Sequence, residues 1–561
     1  MHTATTAPRR NADVLFSWRW AAWLFGCVLL AVAVWFRLWK LDSVPGVNGD
    51  EAWYGVQAMR WLGGEPIAWR TPTGNPLNPF YFVPLTAVHA MWGVGFWQLR
   101  CVAALSGLLA LVVNYGLARR ALGFVAAVIS TAILAVLPIN LAYRRFGWDA
   151  SQSLLFALPV VYCPLVAMRF PSTTRRWLVC GSLSYLAALV VHPTNVFLLP
   201  MLVIPAAMIF RTSVVATWKR VNKSPWRRYT FAAMGIIVAT AMYVLRDYAV
   251  DAAARVVSPS ALALFVGRYV ELLSGVTTYR YIPGSLLAND TVRWSVISVG
   301  LLDLAVCVIL GLVALGWRSP ARENCALGRG LLLGWLFTAV GFFLVAGPGA
   351  IAPHFERYGI CLIAPAVAAM SIGLRQLILD TAENTPRRIW ILAIPAACCL
   401  FGFHGLYFAH FETTGGQSHR AFRTADREPK RSLIHSLSAA GPSGRNHRWS
   451  HTTLAVSEWW TYWPLQYLAM ADDNLDVVQW KDENELADLV EQSTRSRICF
   501  VEFVDQSTLD QVRRGFLERV QPFDETVVND SAGAPLLVTV APRWMSASRD
   551  AAYGSCGSST L

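Results

Sequence analysis

The stretch Asn48-Gly49-Asp50-Glu51-Ala52-Trp53-Tyr54 sets two acids side by side, about ten residues past the first long apolar segment. A glycine precedes them and a helix-compatible run, Ala52 to Leu62, follows. The pattern puts both carboxylates in the first turn of a helix lying on a membrane surface. Carboxylates there bond free amides and complement the helix dipole, so capping alone accounts for the pair. A second role depends on which other polar groups share their side of the membrane.

The bulk composition sets that frame. The 561 residues are 55% hydrophobic and only 15% charged, against about 25% charged in soluble domains. Charge is scarce before residue 408 and frequent after it. The fold class that follows is a polytopic α-helical membrane protein with a small C-terminal α/β domain. The net charge of +13 does not indicate nucleic acid, because the basic residues cluster in short loops between apolar segments. Eleven cysteines form no CxxC and no Cys/His cluster, and most read as small apolar fillers.

A span needs about twenty apolar residues. The sequence predicts spans at 18–39, 99–118, 122–141, 151–168, 177–192, 195–210, 229–246, 292–316, 330–347, 358–378 and 389–407. An outside loop, 40–97, holds two predicted surface helices, 50–62 and 79–95. A second outside segment, 247–291, holds two more, 248–257 and 260–274. Loops with Arg119-Arg120, Arg175-Arg176, Arg227-Arg228 and Arg387-Arg388 fall on one side together with Arg9-Arg10. Dense short basic loops mark the cytoplasmic side. The expectation is a cytoplasmic N-terminus at 1–17, a transmembrane domain at 18–407 and an extracytoplasmic tail. The first apolar segment is too long for a signal-peptide core and is expected to be retained.

In the tail, 408–450 reads as a linker and 546–561 as disordered. Between them, 451–545 reads as an α/β domain. Strands are expected at 452–456, 475–478 and 498–504 and near 523–529 and 535–541, with helices at 461–471, 482–494 and 507–520. The alternation predicts a largely parallel sheet.

On this topology four separate loops bring ionisable groups to the outer lip of the membrane. They carry Asp50 and Glu51; Arg144, Arg145 and Asp149; His192; and His354, Glu356, Arg357 and Tyr358. Arg145 and Asp149 have the spacing of a helical ion pair, and Arg357-Tyr358 that of an interfacial anchor. Asp303, mid-span, has no evident partner and stays outside the site. The combination suits displacement of a lipid phosphate. Arginine grips phosphate, and a carboxylate takes the proton of an acceptor. Asp50 is the candidate base, with Glu51 or Asp149 orienting the acceptor. Arg357, with Arg145 or His354, is the candidate phosphate clamp, and Tyr358 and His192 complete the candidate substrate-binding set. No metal is required, although Asp50, Glu51 and Asp149 leave a divalent-cation site open.

Arg37-Leu38-Trp39-Lys40-Leu41-Asp42 running into Gly49-Asp50-Glu51-Ala52-Trp53-Tyr54 resembles the GT-C superfamily of membrane glycosyltransferases. Within it, the likeness is to the branch of protein O-mannosyltransferases and bacterial aminoarabinose transferases. Arg145-Phe146-Gly147-Trp148-Asp149 resembles that branch's second acidic loop, and Arg357-Tyr358 its late Arg-Tyr element. The resemblance covers roughly 15–410. It implies a catalytic acid at Asp50 and a polyprenyl-phosphate-linked sugar donor. It also implies an inverting transfer to an extracytoplasmic acceptor at a bacterial plasma membrane. Asn75-Pro76-Leu77-Asn78-Pro79 stands where aminoarabinose transferases commonly carry Lys-Pro, so the same acceptor is not implied. The rival expectation is a transporter or flippase for a lipid-linked glycan. Such proteins tend to place polar groups at the midplane and to be built from repeats.

Overall fold

The computed structural model describes residues 26–211, 229, 232, 246–256, 258–285, 306, 325–379, 398–439, 451–519 and 521–543. The expected spans 229–246 and 292–316, with Asp303, lie largely or wholly outside these residues. So do the starts of 18–39 and of 389–407, and the tail 546–561.

Glycine and proline punctuate the membrane part into helices. Helix α1 covers Gly26–Leu38, and the loop after it carries α2 (Gly49–Leu62) and α3 (Pro79–Trp92). Then come α4 (Phe96–Leu122), α5 (Phe124–Val136), α6 (Pro138–Tyr143), α7 (Ser153–Arg169), α8 (Thr174–Val191) and α9 (Leu199–Ile209). The span expected as one piece over 122–141 is broken at Leu137-Pro138. Proline lacks the N–H that would continue α5 and is well placed to begin α6. Further along are α10 (Arg246–Val256), α11 (Pro259–Ser274), α12 (Val276–Tyr281), α13 (Cys325–Val345) and α14 (Ile363–Leu379). Among the described residues, four helical stretches are long and apolar enough to cross a membrane: Phe96–Leu122, Asp149–Arg169, Ala326–Val345 and Glu356–Arg375.

The region expected as a linker is partly built. It contains α15 (His410–Thr414) and α16 (Pro429–Ala439). Leu433, Ile434 and Leu437 of α16 are buried in the core of the following domain. That domain has strands β1 (Thr452–Val456), β2 (Leu475–Gln479), β3 (Ile498–Phe503), β4 (Phe523–Asn529) and β5 (Pro535–Pro542). Helices α17 (Trp459–Ala469), α18 (Glu483–Gln492) and α19 (Ser507–Glu518) alternate with the first strands. The strand order is β2-β1-β3-β5-β4. Only the β1–β2 and β1–β3 pairs are parallel, while β3–β5 and β4–β5 are antiparallel. The sheet is therefore mixed. Strands β4 and β5 follow each other with only a short turn between them, and a short turn can join only antiparallel neighbours.

One packing feature matters for function. Helix α2 is wedged between the two parts of the molecule. Trp53, Tyr54 and Ala58 belong to the membrane-domain core. Ala52 and Val56, with Phe96 and Leu99, share a second core with Leu454, Val456, Leu465 and Val501 of the α/β domain. Each large apolar side chain buried there contributes roughly 1.5–3 kcal/mol. The buried Tyr467 hydroxyl closes the seam. It accepts from Gly95 N (2.8 Å), donates to Gly95 O (2.9 Å) and lies 2.7 Å from His89 Nε2.

Candidate active site

The two neighbouring acids part company at the start of α2. Asn48 is the N-cap, and its Oδ1 accepts from Glu51 N (3.1 Å). The Glu51 Oε1 accepts in turn from Asn48 N (3.1 Å), closing a capping box. Adjacent helical residues point about 100° apart, so Asp50 faces the other way, into a cleft.

That cleft has a volume of about 520 Å³ counting its open mouth. Asp50, Asp149 and Arg357 line it, with Trp53, Tyr54, Trp148, His192 and Tyr358. Arg357 Nη1 lies 3.5 Å from Asp50 Oδ2, with the two side chains 20% and 27% exposed. The guanidinium is flanked by the Trp148 ring at 5.4 Å and the Tyr358 ring at 5.2 Å, an arrangement that favours a fixed cation. Asp149 Oδ1 accepts from Ala150 N (2.7 Å), and the Tyr54 hydroxyl faces this carboxylate. Burial pushes the Asp50 carboxyl above its ordinary value; Arg357 pulls it back, and Asp149 and Glu51 push it further up. The His192 Nδ1 is taken by the Thr194 hydroxyl at 2.7 Å.

Three of the expected site residues do not line this cleft. Glu51 is fully buried, and its carboxylate is saturated. Arg100 Nε donates to Oε2 (2.9 Å), Arg100 Nη2 to Oε1 (2.6 Å) and Gly147 N to Oε2 (3.0 Å). It ties α2 to the loop carrying Asp149 and offers no lone pair to a substrate. Arg145 is also fully buried. It donates to the carbonyls of Phe36 (2.7 Å), Trp39 (2.8 Å), Lys40 (3.1 Å) and Val44 (2.6 Å). Its partners are thus backbone carbonyls, not Asp149 and not the cleft. His354 is exposed, has a left-handed backbone (φ 79°) and meets the Tyr281 ring edge-on, with centroids 4.5 Å apart. Among the described residues no three His, Cys, Asp or Glu side chains converge as metal ligands. Glu51, turned to Arg100, does not share the cleft with Asp50 and Asp149.

Sequence reasoning missed the roof. Thr71, Pro72, Thr73 and Asn75 line the cleft, on a tight hairpin closed by Thr71 N→Asn75 O (2.7 Å) and Leu77 N→Trp69 O (2.9 Å). Gly74, at φ 86°, makes the turn. The Pro/Gly/Asn run is a legible turn signal, but nothing local says that the turn folds back over Asp50.

Residues 75–244 match the profile of the dolichyl-phosphate-mannose-protein mannosyltransferase family. The chain is similar to ArnT from Cupriavidus metallidurans bound to undecaprenyl phosphate. The identity is 15% and the TM-score 0.50, over 92% of this chain and 98% of that one. ArnT in the apo state gives 16% and 0.48 over the same shares. An Archaeoglobus fulgidus oligosaccharyltransferase tethered to an acceptor peptide gives 12% and 0.47, over 91% of this chain and 69% of that one. No curated protein sequence matches the chain.

Proposed function

We propose that the protein is a membrane glycosyltransferase that moves a sugar from a polyprenyl-phosphate carrier to an extracytoplasmic acceptor. The observation that carries the reading is one cleft where two carboxylates, Asp50 and Asp149, face a ring-flanked Arg357. The likeness to an ArnT structure bound to undecaprenyl phosphate supports the donor class. Eleven spans with a cytoplasmic N-terminus and an outward α/β domain remain our topology, supported by the basic-loop pattern.

In the proposed reaction Asp50 accepts the proton of the acceptor's O–H or N–H. The acceptor atom bonds to the anomeric carbon as the bond from that carbon to the phosphate oxygen breaks, with inversion. The electron pair leaves on the phosphate, where Arg357 balances it. Asp149, backed by Tyr54, orients the acceptor. Glu51 and Arg145 act as positioning residues, holding α2 and its neighbouring loops. No step requires a metal ion.

The test is release of free polyprenyl phosphate from polyprenyl-phosphate sugars by the full chain in liposomes. Wild type should release it and Asp50→Asn should not. Full turnover by Asp50→Asn would refute the base assignment. Transbilayer movement of intact donor without release would refute the enzyme reading.

A further inference from the structure

Among the described residues lining the cleft, Arg357 is the only arginine or lysine. It serves Asp50 at 3.5 Å, its Nη2 lies 3.4 Å from the Tyr358 hydroxyl, and the flanking rings of Trp148 and Tyr358 limit its movement. A donor phosphate entering this cleft meets a cation that a carboxylate already holds. Two anions beside one fixed guanidinium repel each other.

Resting on the reading of the site as a lipid-phosphate glycosyltransferase, we infer that Asp50 and the donor phosphate share the Arg357 guanidinium in turn. The carboxylate–guanidinium pair seen here gives way to a guanidinium–phosphate pair during transfer. The charge balance fits a single cation. The donor phosphodiester carries one negative charge and Asp50 another. As the acceptor proton passes to Asp50, that carboxylate becomes neutral. As the sugar–oxygen bond breaks, the phosphate gains the charge that Asp50 lost. The site's total is unchanged, and the guanidinium follows the charge from base to leaving group. Nearby Asp149 adds to the repulsion but is not paired to Arg357 in this structure; it instead accepts from Ala150 N.

Neutralising the catalytic base should abolish turnover and yet tighten binding of the anionic lipid. The test measures binding of polyprenyl phosphate to full-length wild type, Asp50→Asn, Arg357→Gln and the double variant in nanodiscs, with uncharged polyprenol as the control probe. The expected result is that Asp50→Asn binds polyprenyl phosphate on the order of tenfold more tightly than wild type. The gain should shrink with salt, vanish with polyprenol and vanish in the Arg357→Gln background. Asp50→Ser, which removes the same charge with a different shape, should behave like Asp50→Asn. If wild type binds and both Asp50 variants bind equally or more weakly, the sharing is overturned while the glycosyltransferase reading stands. If the gain persists without Arg357, the antagonism does not run through that guanidinium and the inference fails. If wild type neither binds the lipid nor turns over donor, the reading of the site falls and this inference falls with it.

Discussion

Substituting Glu51 by Gln separates the two acids that sequence alone treats as a pair. Glu51 is fully buried and opposes Arg100, also fully buried, at 2.6 Å. Arg100 also donates to the carbonyls of Leu41 (3.1 Å), Pro45 (2.8 Å) and Gly46 (3.3 Å). Gln keeps the shape but takes from a buried guanidinium the carboxylate bonded to it, and turns an NH₂ toward the donors that Oε1 or Oε2 received. Breaking a buried ion pair by removing one partner costs ~3–5 kcal/mol. The Asp50–Arg357 pair is partly exposed and longer, so Asp50→Asn should cost under ~1 kcal/mol. Thermal unfolding in detergent micelles, read beside donor turnover, checks the contrast. Glu51→Gln should lower the unfolding midpoint by several degrees and reduce turnover only in proportion to folded protein. Asp50→Asn should keep the midpoint and lose turnover. A Glu51→Gln protein with the wild-type midpoint and no turnover would refute this reasoning and put Glu51 in contact with substrate.

Gly49→Ala should be damaging at a distance. A Cβ at Gly49 would sit 2.6 Å from Trp459 Cδ1 and 3.0 Å from Trp459 O, forcing α2 away from α17. Overpacking costs ~1–3 kcal/mol, and a shift of ~1 Å in Asp50 costs about 10²-fold in turnover; kinetics of the purified variant decide it. The pH profile of donor turnover should lose activity on its acid side as Asp50 is protonated. That limb should lie above the ordinary aspartate range because burial raises Asp50, and Arg357→Gln should move it higher still by removing the stabilising charge. In the α/β domain, Glu502 is buried, and burial is the main force that raises it from 4.5 to about 7. The folded state therefore binds a proton that the unfolded state has lost. This stabilisation is complete below pH 4.5 and is lost as pH rises through about 7. Glu502→Gln should flatten the stability–pH curve over that window in thermal melts.

Much of the layout was legible because its signals are local. Apolar runs between basic loops marked the membrane part, and proline and glycine marked most helix ends. Alternating apolar residues placed all five strands near their true positions. The direction of β4 and β5 was less legible, since strand pairing is a long-range choice that residue type alone does not encode. The site motifs were legible as types but not as partners. Asp50, Asp149, His192, Arg357 and Tyr358 come together at one cleft, while Glu51 and Arg145, equally polar and equally near in sequence, are turned inward.

Composition and periodicity by themselves determined that this chain is a helical membrane protein with an α/β tail. Only the tertiary structure decided which of two adjacent acids meets the cleft. Successive residues on a helix face different neighbours, and the neighbour facing Glu51 is Arg100, 49 residues away in the chain. A side chain's role follows from what burial leaves it to bond, and burial is set by packing between distant segments.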